Sequence, residues 1–207
     1  FQLQCFVGEN EFYLHLHLQK NMSMNRMTSL SSILFLFFCV LFVNSCTYSG
    51  ELQEVQLVSN DGKVKYAISF PNYMKKETEK TLGENASLQY ASFYRNIYVL
   101  VIDQPVSTAK LSLEEYYHQE LGKLEGVLKN PLRLDSSRVE MDANPAYHIQ
   151  VVGKVGEGEV EKRILYRLVF FEAEQHLFQL VLWGWDERRD SYLGDFDKIV
   201  NSFKILK

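Results

Sequence analysis

Hydrophobic positions fall into three patterns along the chain. Residues 33–43 are apolar without a break. Beyond them come short runs of apolar, β-branched and aromatic residues at 55–59, 64–70, 88–94, 97–103, 132–141, 147–155, 160–172 and 177–185. Such runs predict strands. Their breaks are turn-forming: Asn60-Asp61-Gly62, Pro71, Arg95-Asn96, residues 142–145, residues 156–158 and residues 173–176. Two stretches instead repeat at helical spacing. Leu113, Tyr117, Leu121, Leu124 and Leu128 share one stripe, and Ser112 with Glu115 three residues later predicts a capping box. Residues 186–202 predict a second long helix with Tyr192, Phe196, Ile199 and Val200 on its apolar side. A short helix over 73–82, stopped by Gly83, and a short closing strand over 203–206 complete the pattern.

The last long strands fix the architecture. On one face residues 164–171 carry Ile164, Tyr166, Leu168 and Phe170; on the other, Leu165, Arg167, Val169 and Phe171. Residues 177–185 place Val181, Trp183 and Trp185 on one face and Phe178, Leu180 and Leu182 on the other. A sheet with one wet face alternates apolar with polar residues. These strands do not, so both faces need cover, and the predicted helices supply it. The expectation is an α+β fold: a three-layer α/β/α sandwich on a mainly antiparallel sheet, with its last three long strands in a meander.

Residues 33–43 are too few for a membrane span, which takes about 20 apolar residues. They suit the apolar stretch of a secretory signal, which is about 7–15 residues long. Arg26 supplies positive charge upstream. Val43-Asn44-Ser45-Cys46 follows and resembles the lipobox of bacterial lipoproteins, with Asn44 departing from the usual small residue. The resemblance implies cleavage before Cys46 and acylation of its sulfur. The domain boundaries read accordingly. Residues 1–23 are upstream translation before a start among Met22, Met24 and Met27; 24–45 are a lipoprotein signal; 46–54 are a tether; 55–207 are one globular domain. The implied place is the bacterial cell envelope, with Thr47 after the cysteine leaning towards the outer membrane.

Three further segments carry a second resemblance. Ile68-Ser69-Phe70-Pro71, Asn144-Pro145-Ala146-Tyr147 and Ile199-Val200-Asn201-Ser202-Phe203, in that order, resemble the PsbP-like family. The resemblance covers residues 62–207. It implies an antiparallel α/β/α sandwich, no catalytic residues and no cofactor, and a role in binding or assembly.

Composition narrows the function. Lys and Arg total 22 against 26 Asp and Glu, dispersed without a basic stripe, which argues against nucleic acid as a partner. Cys5 and Cys39 precede the cleavage point, so Cys46 alone enters the mature chain. That excludes a disulfide framework, a cysteine zinc site and a cysteine nucleophile inside the domain. Glu114 and His118 stand four apart on the capped helix, a pair that needs further ligands to hold a metal. His15 and His17 alternate with leucines and lack further ligands too. His148 and His176 fall in a strand and a turn, and no nucleophile elbow occurs. The densest feature is Trp183-Gly184-Trp185 followed by Asp186-Glu187-Arg188-Arg189. Core packing explains it; Trp183, Trp185 and Arg188 are the residues to rim a ligand cleft. The expectation is a non-enzymatic envelope module held by lipid on Cys46, with a protein partner in the envelope. A carrier of an apolar ligand is the alternative, and a hydrolase a more distant one.

Overall fold

A computed structural model describes residues 50–78, 82–156 and 161–207. The signal, the lipobox and His15 and His17 lie outside the described residues, as do parts of the predicted turns and of the 73–82 segment.

Ten strands and three α-helices are formed by the described residues. In chain order they are β1 (Leu52–Val58), β2 (Lys65–Pro71), β3 (Lys75–Lys76), β4 (Leu88–Ser92), β5 (Ile97–Pro105), α1 (Val106–Ala109), α2 (Leu113–Val127), β6 (Lys129–Met141), β7 (Asn144–Val155), β8 (Lys162–Ala173), β9 (His176–Trp185), α3 (Leu193–Asn201) and β10 (Lys204–Leu206). A seven-stranded sheet has the order β3-β4-β5-β9-β8-β7-β6, and a three-stranded sheet the order β1-β2-β10. Every pairing is antiparallel. The meander of β7, β8 and β9 forms as its patterning requires.

Both faces of the large sheet are covered. On one, Ile164, Tyr166, Leu168, Phe170 and Trp183 pack with Tyr116, Tyr117 and Leu121 of α2. Ser112 caps that helix, its hydroxyl accepting from the Glu115 N–H while the Glu115 side chain accepts from the Ser112 N–H. On the other face, Leu165, Val169, Phe171, Phe178, Leu180 and Leu182 meet two elements at once. Phe196 and Ile199 come from α3, and Tyr66, Ile68 and Phe70 from β2. The three layers stand, and the third combines a small sheet with a helix. Chain order explains this: β10 returns to pair with β2, so the first and last strands share one layer.

Local departures have local causes. Described residues of the 73–82 segment form no helix: Lys75 and Lys76 pair with β4. The stretch 186–202 breaks in two, with a 3-10 turn at Asp186–Ser191 ahead of α3. Tyr192 sits at the break, buried, its hydroxyl donating to the Trp185 carbonyl. The β4–β5 connection is longer than Arg95-Asn96. Ser92 pairs with Ile97, so Phe93 and Tyr94 belong to a four-residue turn. Asn96 closes it at φ 55°, a left-handed conformation that Asn tolerates. β1 begins at Leu52, inside the stretch expected to be tether.

Candidate functional site

Three places combine polar chemistry with shape. The first is a cleft of about 730 Å³ at the β8–β9 turn. Lys63, Lys65, Glu172, Glu174, His176 and Leu206 are among its lining residues. Its floor is a fixed loop. The Ser59 hydroxyl accepts from the Lys63 and Val64 N–H groups and donates to Asp61. His176, 3% exposed, places Nε2 3.0 Å from Asp61 Oδ1 and Nδ1 3.0 Å from the Glu174 carbonyl. Both ring nitrogens thus face oxygen acceptors. The hydrogen bond from Ser59, with those from His176 and Lys63, holds the Asp61 carboxyl well below the usual carboxylate range. Asp103, buried in β5, accepts from the Asn60 N–H and secures the same loop. These contacts fix the loop beside the cleft, with the Lys63 ammonium exposed on it and paired to Asp61.

The second place is a polar row across an otherwise apolar face. β6, β7 and β8 bring Asp135, His148, Gln150 and Arg167 to one side, because Asp135 pairs with Gln150, and Gln150 with Arg167. His148 Nδ1 lies 3.3 Å from Asp135 Oδ2. Arg167, 8% exposed on a central strand, donates to Asp197 of α3 at 2.5 Å. Its Nε is buried without a protein partner. Burial, then the Arg167 charge, pushes the His148 imidazole below its ordinary value, with Asp135 opposing. Ser137 stands directly across from His148, but no hydrogen bond joins them. Serine, histidine and carboxylate are therefore neighbours without the nucleophile–base contact that acyl transfer uses.

The third place is the tryptophan corner. Trp183 is 8% exposed and stacks on Tyr98 with centroids 5.1 Å apart. Trp185 is half-buried, with the Arg188 guanidinium 5.5 Å and the Lys162 ammonium 5.2 Å from its ring centroid. The space beside Gly184 is filled from within the chain: a β-carbon there would lie 2.9 Å from the Tyr192 ring. This corner is at the opposite end of β9 from the cleft, whose wall includes His176 at the start of the strand. Glu114 and His118 are exposed and 4.0 Å apart. Among the described residues no three or more His, Cys, Asp or Glu side chains gather as metal ligands.

The cleft and the polar row were not singled out by sequence reading. Arg167 on an apolar face of β8 was the available signal for the row. The cleft had none, since the Asp61–His176 contact joins residues 115 positions apart.

No family model matches the chain, and no curated protein matches it. Solved structures do. The solution structure of cyanobacterial PsbP (CyanoP) from Synechocystis sp. PCC 6803 is similar at 15% identity, over 79% of this chain and 99% of that one, with a TM-score of 0.53. The crystal structure of LpqN, described as involved in cell envelope biogenesis of Mycobacterium tuberculosis, is similar at 13% identity, over 76% and 93%, with a TM-score of 0.48. The likeness to CyanoP shows a PsbP-like fold, and at that identity it shows the fold alone.

Proposed function

We propose that this chain is a lipid-anchored, non-catalytic binding or assembly module of the bacterial cell envelope. One observation carries the binding role. β6 is a 13-residue strand at the open edge of the large sheet. Leu132, Leu134 and Val139 on it, and Val127 just before it, are exposed. A long edge with apolar side chains offers both backbone hydrogen bonds and contact area to a partner strand or surface. The lipobox-like Val43-Asn44-Ser45-Cys46 supports the anchor, and Thr47 supports the outer membrane.

Two measurements test the two halves. Intact-mass analysis of membrane-purified protein should show a diacylglyceryl-type adduct that Cys46→Ala abolishes; an unmodified soluble form would defeat the anchor. Crosslinking from intact membranes through a photoreactive residue at Leu134 should trap one envelope protein. Trapping that is no stronger than from the exposed Glu174 would defeat the binding role of β6. A second reading, a carrier, draws on the cleft near His176, whose rim of Lys63, Lys65, Glu172 and Glu174 suits a polar ligand better than an apolar one. Native mass spectrometry of protein from its source membrane decides it, since a carrier arrives loaded.

A further inference from the structure

The turn between β4 and β5 is the most exposed aromatic feature among the described residues. Phe93 is 60% and Tyr94 93% exposed. Neither is loose. The Arg95 N–H donates to the Ser92 carbonyl and the Asn96 N–H to the Phe93 carbonyl. Phe93 meets Tyr98 edge-on at 5.8 Å, and the Arg95 guanidinium lies 3.9 Å over the Tyr73 ring. The tip is thus a fixed hairpin that holds two aromatic rings out into solvent.

The chain enters the domain at the same spot. Gly50 is buried against Tyr73: a β-carbon on it would lie 2.9 Å from that ring. One ring therefore touches both the entering chain and the hairpin tip. Only three residues, Thr47 to Ser49, separate Gly50 from Cys46, so at full extension the four Cα–Cα steps span about 14 Å. A lipid on Cys46 keeps the Tyr73–Arg95 corner that close to the bilayer surface. The interfacial layer on each side of the hydrocarbon is itself roughly 5–8 Å thick.

The surrounding charges suit a lipid surface. Lys75 and Lys76 of β3 pair with β4 beside the tip, where Lys75 is opposite Ala91. Lys162 and Arg188 flank Trp185, which is at the same end of the sheet because Ile97 pairs with Gly184. Asp195 at the Tyr73 hydroxyl and Asp186, paired with Arg163 and Arg189, are acidic groups at this end too, so the cations left to meet headgroups are those at the tip and on β3. Half-wet aromatics with nearby cations are what the headgroup layer accommodates: rings at the boundary, ammonium and guanidinium groups on anionic phosphates.

We propose that the β4–β5 tip is a second membrane contact, with Phe93 and Tyr94 entering the interface of the bilayer that holds the Cys46 lipid, and Lys75, Lys76 and Arg95 on anionic headgroups. This rests on the lipid-anchor reading. The two contacts fix the orientation of the domain, with the His176 cleft at the end of β9 away from the membrane.

The test uses the full lipidated chain in vesicles of phosphatidylethanolamine and phosphatidylglycerol. An environment-sensitive fluorophore is attached to Tyr94→Cys, or to Glu174→Cys at the cleft end, after mass analysis of the Cys46 adduct. The label at position 94 should emit at shorter wavelength than the one at 174 and be quenched severalfold more strongly by spin-labelled lipid. Phe93→Ser, at an exposed position, should reduce both signals while leaving the circular dichroism unchanged. Protein that carries the adduct but reports water equally at both positions overturns the membrane contact and leaves the anchor standing. Protein without an adduct that stays off the vesicles overturns the anchor and this contact with it. A shift at 94 that survives Phe93→Ser belongs to the probe, and one that needs added envelope protein marks a protein partner; either outcome also overturns the proposal.

Discussion

Gly184 shows how one missing methyl group sets an interlayer fit. A β-carbon there would lie 2.9 Å from the Tyr192 ring and 3.0 Å from Ile97, and both neighbours are buried. Overpacking a filled core costs about 1–3 kcal/mol, and Gly184→Ala should lose that much in urea unfolding. Ala143 presents the reverse case. Asp142 and Ala143 link β6 to β7 at φ 48° and 63°, a two-residue turn in which a non-glycine side chain is strained. Ala143→Gly relieves the strain and loosens the unfolded chain, for a net gain of about 0.5–1 kcal/mol. An unchanged urea midpoint would refute the reading of that turn. His148 adds a pH dependence. Its imidazole is held below its ordinary value of 6.5 by burial and by Arg167, against Asp135 and Asp197. As pH falls through 6.5 the unfolded chain takes up a proton that the folded one refuses, so stability falls with it. The wild-type urea midpoint should drop relative to that of His148→Gln between pH 7 and pH 5. Parallel profiles would show that the ring titrates freely.

At the scale of elements, legibility followed locality. The helix over 113–127 declared itself through its stripe and its cap, and the cap is formed as Ser112 and Glu115 predicted. Ser112→Ala should cost about 1 kcal/mol, because the Glu115 N–H would lose its acceptor; thermal unfolding measures it. The strands β8 and β9 were equally legible, since apolar residues on both faces require two covers. What covered the second face was not, because it is decided by a pairing between Lys204 and Ala67, far apart in sequence. The break at Tyr192 was missed for the same reason: its hydroxyl finds the Trp185 carbonyl only once β9 is in place. The polar row suffered likewise. Asp135, His148 and Arg167 sit on three strands and Asp197 on a helix, and a register shift between Arg133 and Asp135 decides which way Asp135 points. Side-chain alternation cannot reveal such a shift, because one extra residue exchanges the faces.

For the whole molecule, the mixed third layer ties the two ends of the domain together. β2 is flanked by β1 on one side and by β10 on the other, so the strands that open and close the domain are both hydrogen-bonded to the same central strand. Phe203, just before β10, is the bolt. Its ring stacks on Tyr66 of β2 at 5.3 Å and meets Phe171 and Phe178 of the large sheet edge-on at 5.0 and 5.4 Å. It is 4% exposed, so Phe203→Ala removes a filled aromatic position at a cost of about 3–5 kcal/mol. The loss is shared by both layers, because the same ring touches both. Native-state hydrogen exchange should therefore give Ile68 of β2 and Leu180 of β9 the same opening free energy, lowered equally in the variant. If Ile68 opened alone while Leu180 kept its protection, the third layer would be a separable flap. In the cooperative case a pull on the chain entering at Gly50 is transmitted through β1 and β2 to the core of the large sheet.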